Sequence, residues 1–250
     1  MQVVVDSLLT HYEVQGKGKP VLLLHGWGDT AAGMAGLQHA LAKKYKVLAI
    51  DLPGFGGTEP PQVVWGLDDY ALFVANFLKK IEQKNIAAII AHCNGGAIAL
   101  RGLSKEWLVA DKLVLLASAG IRGEYKGRIK AIRLVTKAGK ALVMPLPKSI
   151  KDKLRRKVYK TVGSDMLVAE HLQETFKKVV TDDVRSDAAQ LLLPTLLIYG
   201  EQDEATPLRY GELYHELIPG STLEVLPGAG HFVHVERPEV VTKAIKEFIG

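Results

Sequence analysis

The sequence predicts an α/β fold, a mostly parallel central sheet of about eight strands flanked by helices with one inserted helical segment. Three observations predict it. Short continuous apolar runs recur along the chain, of the length and character of strands buried on both faces. Helical patterns of 3.6 period lie between most of them. One of the strand-like runs turns into a helix across only three residues, His92-Cys93-Asn94.

The chain has 250 residues, a hydrophobic content of 48% and a net charge of +5. That suffices for one sizeable core. The division expected is a core formed by residues 1–120 and 190–250, with residues 121–189 as a helical cap within a single domain. No repeat of solenoid period and no low-complexity tract is present. The N-terminus lacks a basic region followed by a long apolar stretch, and the longest apolar runs are too short to span a bilayer. One cysteine cannot form an internal disulfide, which suits a reducing, cytoplasmic setting.

Val3–Val5 and Leu8–Val14 alternate loosely and read as an opening antiparallel pair. Gly16-Lys17-Gly18-Lys19-Pro20 is a turn cluster. Val21–Leu24, Lys46–Ile50, Ile86–Ala91, Lys112–Ala117, Thr195–Tyr199 and Thr222–Leu226 supply the remaining strands. Leu67–Glu82 places Leu67, Tyr70, Ala71, Val74, Phe77, Leu78 and Ile81 on one helical face, with Asp68 and Asp69 near the positive end of the dipole. Gly95–Leu103, Pro207–Leu217 and Pro238–Phe248 also read as helices, the prolines suiting a first turn. The alternation breaks after Ala117, where Arg128–Ala141, Pro147–Tyr159 and Met166–Val180 look helical and no strand is convincing. Residues 121–160 carry fourteen Lys and Arg against Glu124 and Asp152. This reads either as solvated helix faces or as attraction for an anionic substrate, a membrane surface or nucleic acid. No nucleic-acid motif accompanies it.

The chemistry is concentrated at Cys93. An abrupt strand-to-helix turn strains its middle residue and lifts that side chain clear of the sheet. The positions two before and two after must then be small, and here they are Ala91 and Gly95. This arrangement resembles the nucleophile elbow of the α/β-hydrolase fold, with cysteine where most relatives carry serine. His25-Gly26-Trp27-Gly28 resembles that fold's oxyanion turn, Asp51–Thr58 a loop after its next strand, Gly200-Glu201-Gln202-Asp203 the turn bearing its acid, and Gly228-Ala229-Gly230-His231 its final histidine loop. The order Cys93, Asp203, His231 is the nucleophile–acid–base order of the fold.

The resemblance implies Cys93 as nucleophile, His231 as general base, Asp203 as the acid that orients it, and the backbone N–H groups of Trp27 and Asn94 as oxyanion donors. His234 is the rival to His231, and Glu201 and Glu204 are the rivals to Asp203. Asp51 reads as a loop-ordering residue, and the Trp27 ring as packing against the cap or contacting substrate. No cofactor and no metal is implied. The partner expected is a small-molecule acyl substrate, without nucleic acid or a membrane span, for a monomer or homodimer. The implied activity is hydrolysis of carboxylic esters or lactones through an acyl-enzyme. Acyl transfer, thioester hydrolysis and carbon–carbon bond hydrolysis are the enzymatic alternatives, and a non-catalytic ligand receptor is the alternative of another class. The sulfur is open to three accounts: a native nucleophile, a device favouring acyl transfer, or a replacement of serine.

Overall fold

The computed structural model describes residues 1–122 and 170–250. The elements are β1 Gln2–Val5, β2 Leu8–Gln15, β3 Pro20–Leu24, α1 Ala35–Leu41, β4 Lys46–Ile50, α2 Leu67–Lys80, β5 Ala88–His92, α3 Asn94–Ser104, β6 Leu113–Leu116, α4 Gln173–Thr181, α5 Arg185–Ala188, β7 Thr195–Gly200, α6 Leu208–Leu217, β8 Thr222–Leu226, α7 Val233–Glu236 and α8 Pro238–Ile249. The expected helices Arg128–Ala141 and Pro147–Tyr159, and nearly all of the basic segment, lie outside the described residues. Of Met166–Val180, the described part is a short 3-10 turn, Glu170–Leu172, running into α4.

Eight strands form one sheet in the order β1-β2-β4-β3-β5-β6-β7-β8. The β1–β2 and β2–β4 pairs are antiparallel and all the others parallel. Period-2 alternation divides each central strand between two cores. Leu22, Leu24, Leu48, Ile50 and Ile89 face α2, α3 and α6, whereas Val21, Leu23, Val47, Ala49 and Ile90 face α1, α7 and α8. With both faces covered, the ligand-accessible edge lies at the carboxyl ends of the parallel strands.

Several boundaries differ from the expectation, each for a local reason. The β5 ladder begins at Ala88 because Ile86 makes only an isolated bridge to Ala110, and it runs on to His92. β6 stops at Leu116 because Ala117 has a φ of +45°. α2 ends before Glu82, whose φ is +55°. Pro207 is not in the first turn of α6 but just before it, with an extended ψ of 149°; Pro238 does open α8. β8 is an edge strand, so its run is half exposed rather than buried on both faces.

α4 lies over the loops at the carboxyl edge. The Trp65 N–H donates to the Thr175 hydroxyl at 3.2 Å, and the Trp27 ring sits between Phe55 at 4.9 Å and Phe176 at 5.1 Å. Behind it, Arg101 of α3 ties three segments together through Asp68 of α2, Asp182 and Asp187. Among the described residues, no helix is long and apolar enough to cross a membrane.

Candidate active site

The residues singled out from the sequence meet at the carboxyl edge of the sheet. Cys93 directly follows β5 and has φ 49° and ψ −118°, a strained conformation for a side-chain-bearing residue. It is held there by its backbone. Its N–H donates to Leu116 O at 3.0 Å, and its carbonyl accepts from Gly96 and Ala119 N–H, both at 3.0 Å. The small-residue requirement has a measurable cause. A Cβ on Gly95 would lie 2.6 Å from Leu24 O and 2.7 Å from His25 O, where backbone cannot yield. Cys93 itself is partly exposed.

Asp203 sits three residues beyond β7, and His231 five beyond β8. The two loops are pressed together, since Gln202 N–H donates to Ala229 O at 2.9 Å and a Cβ on Gly200 would lie 2.2 Å from Gly230 O. His231 Nδ1 donates to Asp203 Oδ2 at 2.8 Å, with the Asp203 side chain fully buried and that of His231 17% exposed. The other carboxylate oxygen accepts the N–H groups of Ala205 at 2.8 Å and Thr206 at 2.9 Å. Glu201 and Glu204 do not take this position. Glu201 instead accepts the Gly228 N–H.

The electrostatics follow from these partners. Burial alone would depress His231. Its hydrogen bonds to Asp203 and to the Cys93 thiol, with the charges of both, carry it up to about 10. With Nδ1 committed to Asp203, the bond to Cys93 falls to Nε2. Burial works against the Asp203 carboxylate, but its bonds from His231 and Thr206 hold it below the usual range.

Gly26 brings the turn after β3 against the elbow: a Cβ there would lie 2.9 Å from Cys93 Cβ. Trp27 follows it. Asn94 opens α3, so its N–H is among those of the first turn that have no partner inside the helix. His25 is spoken for, accepting the Leu52 N–H at Nε2 (2.9 Å) and donating from Nδ1 to Gly26 O (2.7 Å). Asp51 orders its loop, taking the Ala31 N–H at 2.7 Å, the Gly57 N–H at 2.8 Å and His11 at 2.8 Å.

Two features escaped the sequence reading. The Thr206 hydroxyl lies 2.7 Å from Asp203 Oδ2, 2.9 Å from Ala117 O and 3.1 Å from His231 Nδ1. The Thr206-Pro207 pair was visible after the acid turn, but nothing in it signalled a side-chain role. The other is the setting of His234, which does not pair with Asp203 but meets His92 edge to face, with ring centroids 4.8 Å apart.

The chain belongs to the alpha/beta hydrolase family, whose model matches residues 21–244. It is a hydrolase of that fold. Among curated relatives, it is 26% identical to 2-hydroxy-6-oxo-6-(2'-aminophenyl)hexa-2,4-dienoic acid hydrolase of Metapseudomonas resinovorans, over 96% of this chain and 87% of that one. It is 24% identical to the pimeloyl-[acyl-carrier protein] methyl ester esterase of Aeromonas hydrophila, over 94% and 97%. Among solved structures, a serine hydrolase involved in carbazole degradation superposes with a TM-score of 0.76 at 26% identity, covering 100% of this chain and 97% of that one.

Proposed function

We propose that the protein hydrolyses carboxylic esters, lactones included, through an acyl-enzyme on Cys93. The observation that carries this reading is the meeting, at one sheet edge, of a partly exposed cysteine on a strained elbow with an imidazole anchored 2.8 Å from a buried carboxylate. Cys93 Sγ attacks the carbonyl carbon, and the resulting oxyanion is received by the N–H groups of Trp27 and Asn94. Collapse breaks the carbon–oxygen bond, and the His231 imidazolium gives its proton to the departing alkoxide. The neutral imidazole then takes a proton from water as that water attacks the thioester, and the carbon–sulfur bond breaks. The sum is ester plus water giving acid plus alcohol. Asp203 holds the ring in one tautomer and stabilises its charged form. The raised His231 pKa suits that ring to take up the proton Cys93 gives as its sulfur attacks, which supplies the imidazolium used in the next step.

A second reading is hydrolysis of a carbon–carbon bond, favoured by the likeness to the dienoic acid hydrolase. Intact-protein mass spectrometry after mixing with p-nitrophenyl esters of several chain lengths separates the possibilities. The first reading expects an acyl adduct on Cys93, with hydrolysis falling about 10³-fold in Cys93→Ala. Absence of the adduct, with turnover persisting in that variant, refutes the covalent mechanism. Indifference to esters with cleavage of a vinylogous diketone acid selects the second reading. Absence of turnover on both would leave a ligand receptor. Cys93→Ser, assayed alongside, shows whether the site works better with oxygen.

A further inference from the structure

Beside the catalytic pair lies a second cluster that the hydrolytic chemistry does not use. Asp29, His92 and His234 each offer one ligand atom, and these three atoms lie within 4.8 Å of one another. His92 and His234 are 1% and 6% exposed, while Asp29 is partly exposed. Buried polar side chains almost always find a partner. Here His92 Nδ1 and both ring nitrogens of His234 lack a well-formed one among the described residues.

The hydrogen bonding specifies what kind of partner is missing. His92 Nε2 lies 3.1 Å from His231 O. A carbonyl only accepts, so Nε2 carries the proton, and Nδ1 of the neutral ring presents a bare lone pair. A ring whose far nitrogen donates to a backbone carbonyl is the usual setting of a metal-ligating histidine. Gly33 is what admits the third group, since a Cβ there would lie 2.0 Å from Asp29 Oδ1. Two neutral imidazoles and one carboxylate suit a divalent transition metal of the zinc class, with an open position for water.

We propose that Asp29, His92 and His234 form a binding site for one such ion. Tetrahedral zinc brings neighbouring ligand atoms to about 3.4 Å, so no pair in the cluster has to close by more than about an ångström and a half. Asp29, whose Oδ1 accepts the Thr30 N–H at 2.8 Å, is the partly exposed member and marks the side from which an ion would enter. A bound ion would tie together the loop after β3, the end of β5 and the short helix α7. Those are the segments carrying Trp27, Cys93 and the turn after His231, so the ion would act as a brace behind the site.

Cys93 and His231 could themselves capture zinc, so the titration is made in the Cys93→Ser protein. Calorimetry with zinc sulfate is expected to show one ion per chain, with a concentration-dependent rise in melting temperature. Asp29→Asn and His234→Phe, each added to Cys93→Ser, are expected to weaken binding about tenfold or more. Asp29→Asn alters a partly exposed side chain and decides the matter if His234→Phe fails to fold. Cobalt(II) added to the unsubstituted protein is expected to give d–d bands without a thiolate charge-transfer band. The proposal is overturned by no saturable zinc binding, which would leave the cluster as a polar pocket for water. Binding indifferent to Asp29→Asn, or a thiolate band that disappears with Cys93→Ser, overturns it equally. None of these readings depends on whether the protein hydrolyses esters.

Discussion

Thr206 gives the sharpest test at the level of single side chains. Its hydroxyl has one proton and two acceptors, Asp203 Oδ2 and Ala117 O, so it bridges the acid to the end of β6. Thr206→Val removes a hydrogen bond to a charged group, worth about 1.5 kcal/mol, or about tenfold in rate. On the ester-hydrolase reading, kcat is expected to fall by that factor with KM little changed, and Thr206→Ser to restore it. An unchanged kcat would show that Asp203 needs no help from Thr206. The elbow offers a second test. At φ 49° a Cβ is strained, so Cys93→Gly is expected to be more stable than Cys93→Ala by about 1 kcal/mol in denaturant titration. Equal stability would mean that the surrounding backbone bonds impose no strain on a Cβ there.

The elements hold the site through a few ties rather than through general compactness. Arg101, 12% exposed, faces Asp68, Asp182 and Asp187, and the Asp187 carboxylate is 5% exposed and also bonded to the Ser104 hydroxyl. Arg101→Met leaves Asp187 buried and unpaired, and such losses cost about 3 kcal/mol. The melting temperature is expected to drop accordingly, and Arg101→Met/Asp187→Leu to recover much of the loss. If the double variant is no better than the single one, the pair is not the source of the cost. The strands and helices themselves were legible, because buried strands and amphipathic helices leave unlike periods in the sequence. Their ends were less so. β6 stops before Ala117 and α2 before Glu82 because those residues turn to positive φ, and no glycine marks either place. Pro207 stands one position outside its helix, as the N-cap, because a proline fits there as well as in the first turn.

For the whole molecule, the histidines set opposing slopes of stability with pH. His231 keeps its proton to about 10 when folded, against 6.5 in the unfolded chain. Its contribution is therefore fully present below pH 6.5 and is lost as pH rises toward 10. His25 and His92 are depressed, mainly by burial, so their neutral forms favour the fold above pH 6.5, and that support is lost as pH falls. Melting temperature is expected to peak near pH 6.5, with the alkaline fall reduced in His231→Gln. An alkaline limb identical in the two proteins would contradict the raised His231 pKa.

Residue order and pattern alone carry the fold class, the family resemblance and the choice of Cys93, Asp203 and His231, because each stands in a short motif at a strand end and local sterics dictate such motifs. They could not carry the distances. That His231 reaches Asp203 rather than Glu201 or Glu204, that Thr206 joins them, and that His234 turns to His92 and Asp29 all depend on loops from β3, β5, β7 and β8 being brought to one edge. Parallel strand pairing does that, and it acts between residues far apart in the chain, where no local pattern records the outcome.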